Sequence, residues 1–231
     1  MIEEPKALTI KRPARRPTDA QISAFQGVPT GFVVDAMYGG SALSPDISPL
    51  GAGCDLDTEV AGPALTIDNR PSDILALLGA LPLIRTGDVV VSAFAEFQGC
   101  AAAGDRVSGM MKNNGAAGFV TDGPMRDFHG LAGVGLPCWC TGLNPDSPFS
   151  TGPGKIGLPI QIGGKTVETG DMVVADRDGV VVVPFAQIDA VIERLAQVAE
   201  LETTLDAEVA AGLKVPDAIK TLLDGDDIVW E

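Results

Sequence analysis

Histidine is almost absent from this 231-residue chain, which contains only His129. One histidine cannot build an HExxH zinc site, a three-histidine zinc site or a two-histidine iron triad within a single chain. A Ser-His-Asp triad would have to use His129, and no GxSxG nucleophile turn accompanies it. No GxxxxGK[ST] phosphate loop occurs either. The sequence therefore disfavours most common hydrolase and nucleotide chemistries.

Basic residues are also scarce, with 16 lysines and arginines against 31 acidic residues and a net charge of −15. A nucleic-acid-binding surface must be basic to hold phosphates, so this balance argues against a nucleic-acid partner. A short basic run near the N-terminus contains Lys11, Arg12, Arg15 and Arg16. We interpret it as a solvated leader rather than a nucleic-acid arm.

Long hydrophobic runs and a disulfide framework are lacking as well. The longest apolar run, Ile74 to Ile84, contains Gly79 and Pro82 and is far too short to span a bilayer. The N-terminus lacks the basic-then-apolar pattern of a signal peptide. We therefore expect a cytoplasmic protein that does not act at a membrane, with reduced cysteines and with Cys138 and Cys140 buried in a strand. The four cysteines are Cys54, Cys100, Cys138 and Cys140.

What is present is an alternation of strand-like and helical segments. This order predicts an α/β core with parallel pairing. Two short helices are expected first, at 17–28 and at about Thr30 to Met37. The predicted core strands are Glu59 to Ile67, Asp88 to Ala93, Ala116 to Thr121 and Pro137 to Thr141, with helices at Ser72 to Leu81 and Ala101 to Asn114.

From Ile156 onward the strands follow one another closely and predict antiparallel hairpins. The expected strands are Leu158 to Ile162, Lys165 to Val167, Met172 to Asp176 and Val180 to Val183. A phrase also repeats: Thr86-Gly87-Asp88-Val89-Val90-Val91 and Thr169-Gly170-Asp171-Met172-Val173-Val174. We interpret each copy as a turn that enters a buried strand.

Apolar residues at helical spacing predict one long amphipathic helix over Ala186 to Gly212, followed by a short helix in the tail. Such a helix at the end of a domain often packs on a neighbouring subunit. We divide the chain into a leader and helix start (1–24), a main domain (25–212) and a C-terminal tail (213–231).

The stretch from Gly104 to Asp127 carries the candidate chemistry. Asp105 follows a glycine at the start of a predicted helix, and Arg126-Asp127 follow a turn at the end of the next strand. In a compact α/β unit such turns can lie close together. Carboxylates beside a guanidinium suit a hard divalent cation and an anionic oxo-acid substrate. We therefore predict an active site here.

The pattern resembles the class II pyruvate aldolases that act on 4-hydroxy-4-methyl-2-oxoglutarate and 4-carboxy-4-hydroxy-2-oxoadipate. That family includes proteins similar to the regulator of ribonuclease E activity. Its mark is a Gly-acid pair, a helix and a strand, and then Asp-Gly-x-x-Arg-Asp, as in Gly104-Asp105 and Asp122 to Asp127. The resemblance covers roughly residues 25 to 212. One departure is that His129 and Gly130 stand where the family often has acids.

The resemblance implies a three-layer, swivelling-type β/β/α fold, classed as α/β, with a long C-terminal helix. It also implies a homotrimer or homohexamer with its sites between subunits, and a role in the breakdown of aromatic acids. Family members are similar in decarboxylating oxaloacetate, because both reactions pass through the pyruvate enolate. None of the seven lysines lies in a context that suits a Schiff-base nucleophile, which favours Mg²⁺ or Mn²⁺ as cofactor.

Residue roles follow from the resemblance as hypotheses. Asp127 would bind the metal. Arg126 would bind the 2-oxo acid and stabilise the enolate, since a guanidinium stays charged and donates in a fork. Asp105 would hold a metal-bound water and transfer a proton.

The start of the helix after Gly104 would hold the substrate carboxylate through the amides of Arg106 and Val107. Glu202 of a neighbouring subunit, or alternatively Glu200, would orient metal-bound waters.

Two other functions stay open. The chain could be a regulator that binds an RNA-degrading enzyme, although such relatives often lack the complete acid set found here. It could also be a related lyase or hydratase that acts on another oxo-acid by the same enolate chemistry.

Overall fold

The computed structural model describes residues 6–53, 55–225 and 228–230. The strands are β1 (Leu8–Ile10), β2 (Ser48–Pro49), β3 (Val60–Asp68), β4 (Val89–Ala93), β5 (Gly118–Thr121), β6 (Cys138–Cys140), β7 (Gly154–Ile156), β8 (Ile160–Ile162), β9 (Lys165–Val167), β10 (Met172–Ala175) and β11 (Val180–Val183). The helices are α1 (Asp19–Ser23), α2 (Thr30–Ala36), α3 (Leu75–Ala80), α4 (Asp105–Asn113), α5 (Phe128–Val134), α6 (Ile188–Ala210) and α7 (Asp217–Leu223).

Four parallel strands, in the order β3-β4-β5-β6, form the centre of the main sheet. Their register places Leu65, Val90, Phe119 and Cys138 in one row across the sheet. All four side chains are buried in the core under α3, α4 and α5. Because side chains alternate along a strand, their neighbours point to the opposite face. The strands are therefore covered on both faces, which explains their continuous apolar sequences.

The second layer is the antiparallel pair β10–β11, which joins the main sheet through β3. The first residues of β3 pair with β10, and the rest pair with β4. Val91, Val120 and Trp139 of the main sheet pack against β8, β9 and this pair in a second core. The outer face of β10–β11 packs on α2 and the first half of α6 in a third core. The predicted helix and two β layers are thus present, with further helices outside them.

The N-terminal residues form part of the domain instead of the solvated leader that we expected. β1 pairs in parallel with β7 at the edge of the main sheet. Arg15 contacts Asp171 at 3.3 Å, and Arg16 forms a close ion pair with Asp88. The acids are equivalent residues of the two repeated Thr-Gly-Asp turns, and both are buried. Two consecutive arginines therefore fasten this segment to two separate turns.

The predicted element types agree with the structure, and the bounds differ by a few residues. α1 spans Asp19–Ser23, shorter than predicted, and Thr18 caps it in a capping box with Gln21. The long helix α6 spans Ile188–Ala210. Cys138 and Cys140 are free thiols buried in β6, as expected, and Cys100 is also free and buried. Cys54 lies outside the described residues. Within the described part of the chain, no helix is long and apolar enough to cross a membrane.

Candidate active site

Asp105 is the first residue of α4, directly after Gly104, which has extended backbone angles. Its Oδ1 atom accepts a hydrogen bond from the Arg106 amide at 2.6 Å. The first amides of a helix have no acceptor within the helix. The Arg106 amide already donates to the Asp105 carboxylate. Of the two amides, that of Val107 is therefore the better placed to bind an external carboxylate.

Arg126 and Asp127 lie in the connection between β5 and α5. Asp127 stands immediately before α5 in the left-handed conformation, with φ of 63°. Aspartate tolerates the left-handed conformation better than most residues. The conformation still costs energy, and residues that adopt it are concentrated at functional sites. The sharp turn keeps the Asp127 carboxylate beside Arg126, with 3.2 Å between Oδ2 and Nε. Both side chains are partly exposed, at 47% and 34%, so each can reach a ligand.

Three chain segments lie side by side at this site, around Ala103, Met125-Arg126 and Asn144. Hydrogen bonds between their backbones hold the site in place. The Arg126 amide donates to the Ala103 carbonyl at 3.1 Å, and the Asn144 amide donates to the Met125 carbonyl at 2.9 Å. Ala103 and Met125 also form a parallel bridge. A Cβ added at Gly104 would lie 2.6 Å from Asp127 Oδ2. The two turns that the sequence placed 21 positions apart are therefore in direct contact.

The loop after β6 reaches over Arg126. The Ser147 hydroxyl accepts a hydrogen bond from Arg126 Nη1. The loop is fastened by the Asp146 carbonyl, which accepts from the Ala101 amide at 3.0 Å. Burial raises the pKa of the nearby Cys100 thiol, and the Asp146 carboxylate raises it further, while Arg126 opposes the shift. Cys100 therefore stays a neutral thiol beside the guanidinium.

Asp122 has a structural role that the sequence did not predict, since it was named only as the first residue of the Asp-Gly-x-x-Arg-Asp pattern. Its side chain is 97% buried and its carboxylate accepts hydrogen bonds from the amides of Phe94 and Glu96, the latter at 3.0 Å. Burial raises the pKa of Asp122, although these hydrogen bonds oppose the shift. The carboxylate thus fixes the loop between β4 and α4, in which Ala95 and Glu96 both have positive φ. No local sequence pattern reports this role, because the burial of Asp122 and its donors, 28 and 26 positions away, are visible only in the structure.

Glu202 lies far along α6, in a different part of the subunit. It borders a cavity of about 290 Å³ with Asp35, Tyr38 and Arg194. Arg194 lies over the Tyr38 ring, with its Cζ atom 5.2 Å from the ring centre. The described chain therefore places Glu202 beside α2, so any contribution to the Asp105 and Asp127 site would come from another subunit. Glu200 is exposed on the same helix.

His129 is exposed on α5, where its ring meets Phe128 edge to face. A separate polar cavity of about 430 Å³ opens where β4, β5 and β6 end. It is lined by Ser44, Asp46, Ile47, Glu96, Gln98, Asp122, Thr141 and Gly163. Its carboxylates would repel an anionic substrate. The arginine-containing cluster is therefore the better candidate site for an oxo-acid.

The donor set at this cluster fits a magnesium-type ion. Asp127 Oδ1 has no hydrogen-bond donor among the described residues, whereas Oδ2 contacts Arg126. Mg²⁺ is commonly held by one or two carboxylates, with waters and substrate oxygens as its other ligands. Among the residues that the structure describes, no three His, Cys, Asp or Glu side chains cluster to form a cage. Asp127 and the nearby Asp105 are therefore the carboxylates that could bind such an ion at this cluster.

Comparison with known proteins places the chain in a family. Residues 30–182 match the model of the RraA-like family, described as Aldolase/RraA. A relative from Halalkalibacterium halodurans named "Putative 4-hydroxy-4-methyl-2-oxoglutarate aldolase" is 37% identical over 173 residues, which cover 75% of this chain and 80% of the relative.

Solved structures agree with this family match. A protein from Pseudomonas syringae pv. tomato superposes with a TM-score of 0.78 at 25% identity, covering 90% of this chain and 96% of its own. Streptomyces coelicolor RraAS2, described as an unusual member of the RNase ES inhibitor RraA protein family, superposes with a TM-score of 0.71 at 29% identity, covering 84% of this chain and all of its own. The chain belongs to the Aldolase/RraA family and has the RraA-like fold.

Proposed function

We propose that this protein is a divalent-metal-dependent aldolase that cleaves a 4-hydroxy-2-oxo acid to release pyruvate. The observation that carries the proposal is the contact between the Asp105 turn and the Arg126-Asp127 turn, which joins two carboxylates and a guanidinium. The 37% identical relative carries the corresponding name. The same chemistry extends to decarboxylation of oxaloacetate, since both reactions leave the pyruvate enolate.

The cleavage must accept negative charge at the C2 oxygen. A proton leaves the C4 hydroxyl, the C3–C4 bond breaks, and its electron pair moves onto the C2 carbonyl oxygen. The new carbonyl at C4 leaves as a second oxo compound, and the enolate gains a proton at C3. Any residue that stabilises the C2 oxygen or moves these protons therefore accelerates the reaction.

The side chains at the site suit these tasks. Arg126 binds the substrate carboxylate or C2 oxygen, and its permanent charge stabilises the enolate. Asp105 takes the proton from the C4 hydroxyl and returns one to C3, through an ordered water. The Val107 amide, in the first turn of α4, orients the substrate carboxylate. Mg²⁺ or Mn²⁺ bound by Asp127 would supply Lewis-acid polarisation of the 2-oxo group.

We also propose that the site is completed in a homotrimer or in a hexamer of two trimers. Glu202, which the fold keeps with α2 of its own subunit, would approach the site of a neighbouring subunit. Light scattering after size exclusion would measure the assembly. A monomer that is fully active would contradict this arrangement.

The first test is pyruvate release from 4-hydroxy-4-methyl-2-oxoglutarate and from oxaloacetate, with Mg²⁺ and then with EDTA. We expect release that is lost with EDTA and restored by Mg²⁺ or Mn²⁺. The ratio of the two rates identifies the better-fitted reaction. No release from either substrate, by a folded protein with metal present, would contradict the aldolase proposal.

The second candidate function is regulation of an RNA-degrading enzyme by direct contact. The likeness to Streptomyces coelicolor RraAS2 supports it. A pull-down with a ribonuclease E-type enzyme, set beside the pyruvate assay, separates the two functions. Binding with inhibition of RNA cleavage, and no pyruvate release, would favour regulation. Release of pyruvate without such binding would favour the aldolase.

A further inference from the structure

Two glycines allow the two acidic turns of the site to interlock. Gly104 leaves room for the Asp127 carboxylate, as described above. In the same way, a Cβ added at Gly130 would lie 2.3 Å from Asp105 Oδ2, 2.8 Å from its Cγ and 2.7 Å from its Cβ. Each carboxylate therefore occupies the space that a side chain would take on the opposite element.

The contact at Gly130 cannot be relieved by turning the Asp105 carboxylate alone. A new rotamer would move Oδ2 and Cγ, but the Cβ of Asp105 is fixed to the backbone of α4. Real Cβ atoms essentially never approach as closely as 2.7 Å. A side chain at position 130 must therefore push the start of α4 away from α5.

The two helices have little freedom to adjust, because they run in parallel and meet again at their other ends. Gly109 of α4 lies against Val134 of α5, with 3.8 Å between an added Cβ and the Val134 side chain. Lys112 Nζ donates to the carbonyls of Val134 and Gly135. A change at Gly130 therefore tilts the start of α4, where Asp105 lies, instead of sliding the whole helix.

We propose that Gly130 is a positioning residue that holds the Asp105 carboxylate in place against α5, at a fixed separation from Arg126 and Asp127. The role rests on the proposed function, in which Asp105 transfers the proton. Gly130 itself touches no substrate. Its contribution is the missing side chain, which lets the two helices approach closely enough to fix one orientation of Asp105.

The chain offers a matched control in Gly133, on the same helix. It is exposed, and a Cβ added there meets no atom of the described residues within 4 Å. Gly130→Ala and Gly133→Ala add the same methyl group to α5 and raise its helix propensity alike. A difference between the two variants therefore reports the contact with Asp105 and not the stability of the helix.

The test is the kinetics of pyruvate release by wild type, Gly130→Ala, Gly133→Ala, Asp105→Asn and the double variant Asp105→Asn/Gly130→Ala. We expect Gly130→Ala to lower kcat at least tenfold, and Gly133→Ala to stay within twofold of wild type. In the Asp105→Asn background, Gly130→Ala should cost less than threefold more. Circular dichroism and the thermal midpoint confirm that each variant is folded.

The outcomes separate the two proposals. An active wild type with equal kcat for the two glycine variants would overturn the role of Gly130 and leave the aldolase proposal standing. A tenfold loss that persists in the Asp105→Asn background would also overturn it, because the effect would not act through Asp105. A folded wild type that releases no pyruvate would overturn the proposed function, and the role of Gly130 with it.

Discussion

The carboxylates of this protein form two groups with opposite surroundings. Asp105 and Asp127 are partly exposed and each has few partners. Asp73 and Asp122 are buried, and three backbone amides donate to Asp73 and two to Asp122. A buried carboxylate that accepts backbone hydrogen bonds is costly to change, because its removal leaves those amides without an acceptor. Replacing an exposed carboxylate costs little folding stability, and its oxygens are accessible to a ligand. The comparison therefore separates acids that hold loops from acids that can do chemistry.

The largest effect should follow Asp127→Ala. Removing the proposed metal ligand should lower kcat/KM for pyruvate release about 1000-fold, which corresponds to about 4 kcal/mol of transition-state stabilisation. Stability should fall by only about 1 kcal/mol, because the side chain is half exposed and the main cost is that alanine tolerates the left-handed conformation less well than aspartate. Steady-state kinetics and thermal unfolding would be measured together. Turnover and metal dependence that both survive would remove Asp127 from the site.

A change to a buried carboxylate should lower the stability of the fold, and Asp122→Asn tests this. An asparagine keeps one acceptor and presents an amide donor to a backbone amide, so one hydrogen bond is lost and a buried donor is left unpaired. We expect a loss of about 2 kcal/mol, or roughly 4–8 °C in the thermal midpoint. Asp178→Asn, which changes an exposed carboxylate, is the control and should shift the thermal midpoint little. Equal midpoints for the two variants would contradict the assignment.

The pH dependence of the unfolding free energy should distinguish Asp73 from Asp122. Asp73 accepts hydrogen bonds from the amides of Leu75, Thr151 and Gly152 and from the Thr151 hydroxyl. Burial alone would raise the pKa of Asp73, but these bonds outweigh it and the pKa is lowered. A lowered pKa contributes stability that is complete above the unfolded value of about 3.9 and is lost as pH falls through the folded value.

Burial gives Asp122 the opposite shift, a raised pKa. Its contribution to stability should fall as pH rises from about 3.9 through its folded value. The difference in unfolding free energy between wild type and Asp73→Asn should therefore grow as pH rises from the lowered folded pKa of Asp73 to about 3.9. The difference for Asp122→Asn should shrink as pH rises. Denaturant unfolding from pH 3 to 6 would measure both, and parallel curves would refute the distinction.

The sequence predicted the fold better than it predicted how loops are held. Apolar runs and turn residues identified β3 to β6 and the hairpins, because burial on both faces of a strand is visible in its composition. The Gly-Asp and Arg-Asp turns were predicted to lie close together, and they do. The ion pairs of Arg15 and Arg16 were missed, because they join residues that are 72 or more positions apart. No local pattern reports such a contact.

The smallest effect should follow Ser147→Ala, which tests how firmly the site holds Arg126. Among the residues that the structure describes, the Ser147 hydroxyl and the Asp127 carboxylate are the two groups that contact the Arg126 guanidinium. Losing one exposed hydrogen bond is worth about 1 kcal/mol, so kcat/KM should fall about fivefold, and Ser147→Thr should restore most of it. Ser150 lies in the same loop and its hydroxyl makes no hydrogen bond to any residue described, so Ser150→Ala is the control. Because Asp127 still holds Arg126, a loss as large as that of Asp127→Ala would mean that the loop as a whole, and not one hydroxyl, shapes the site.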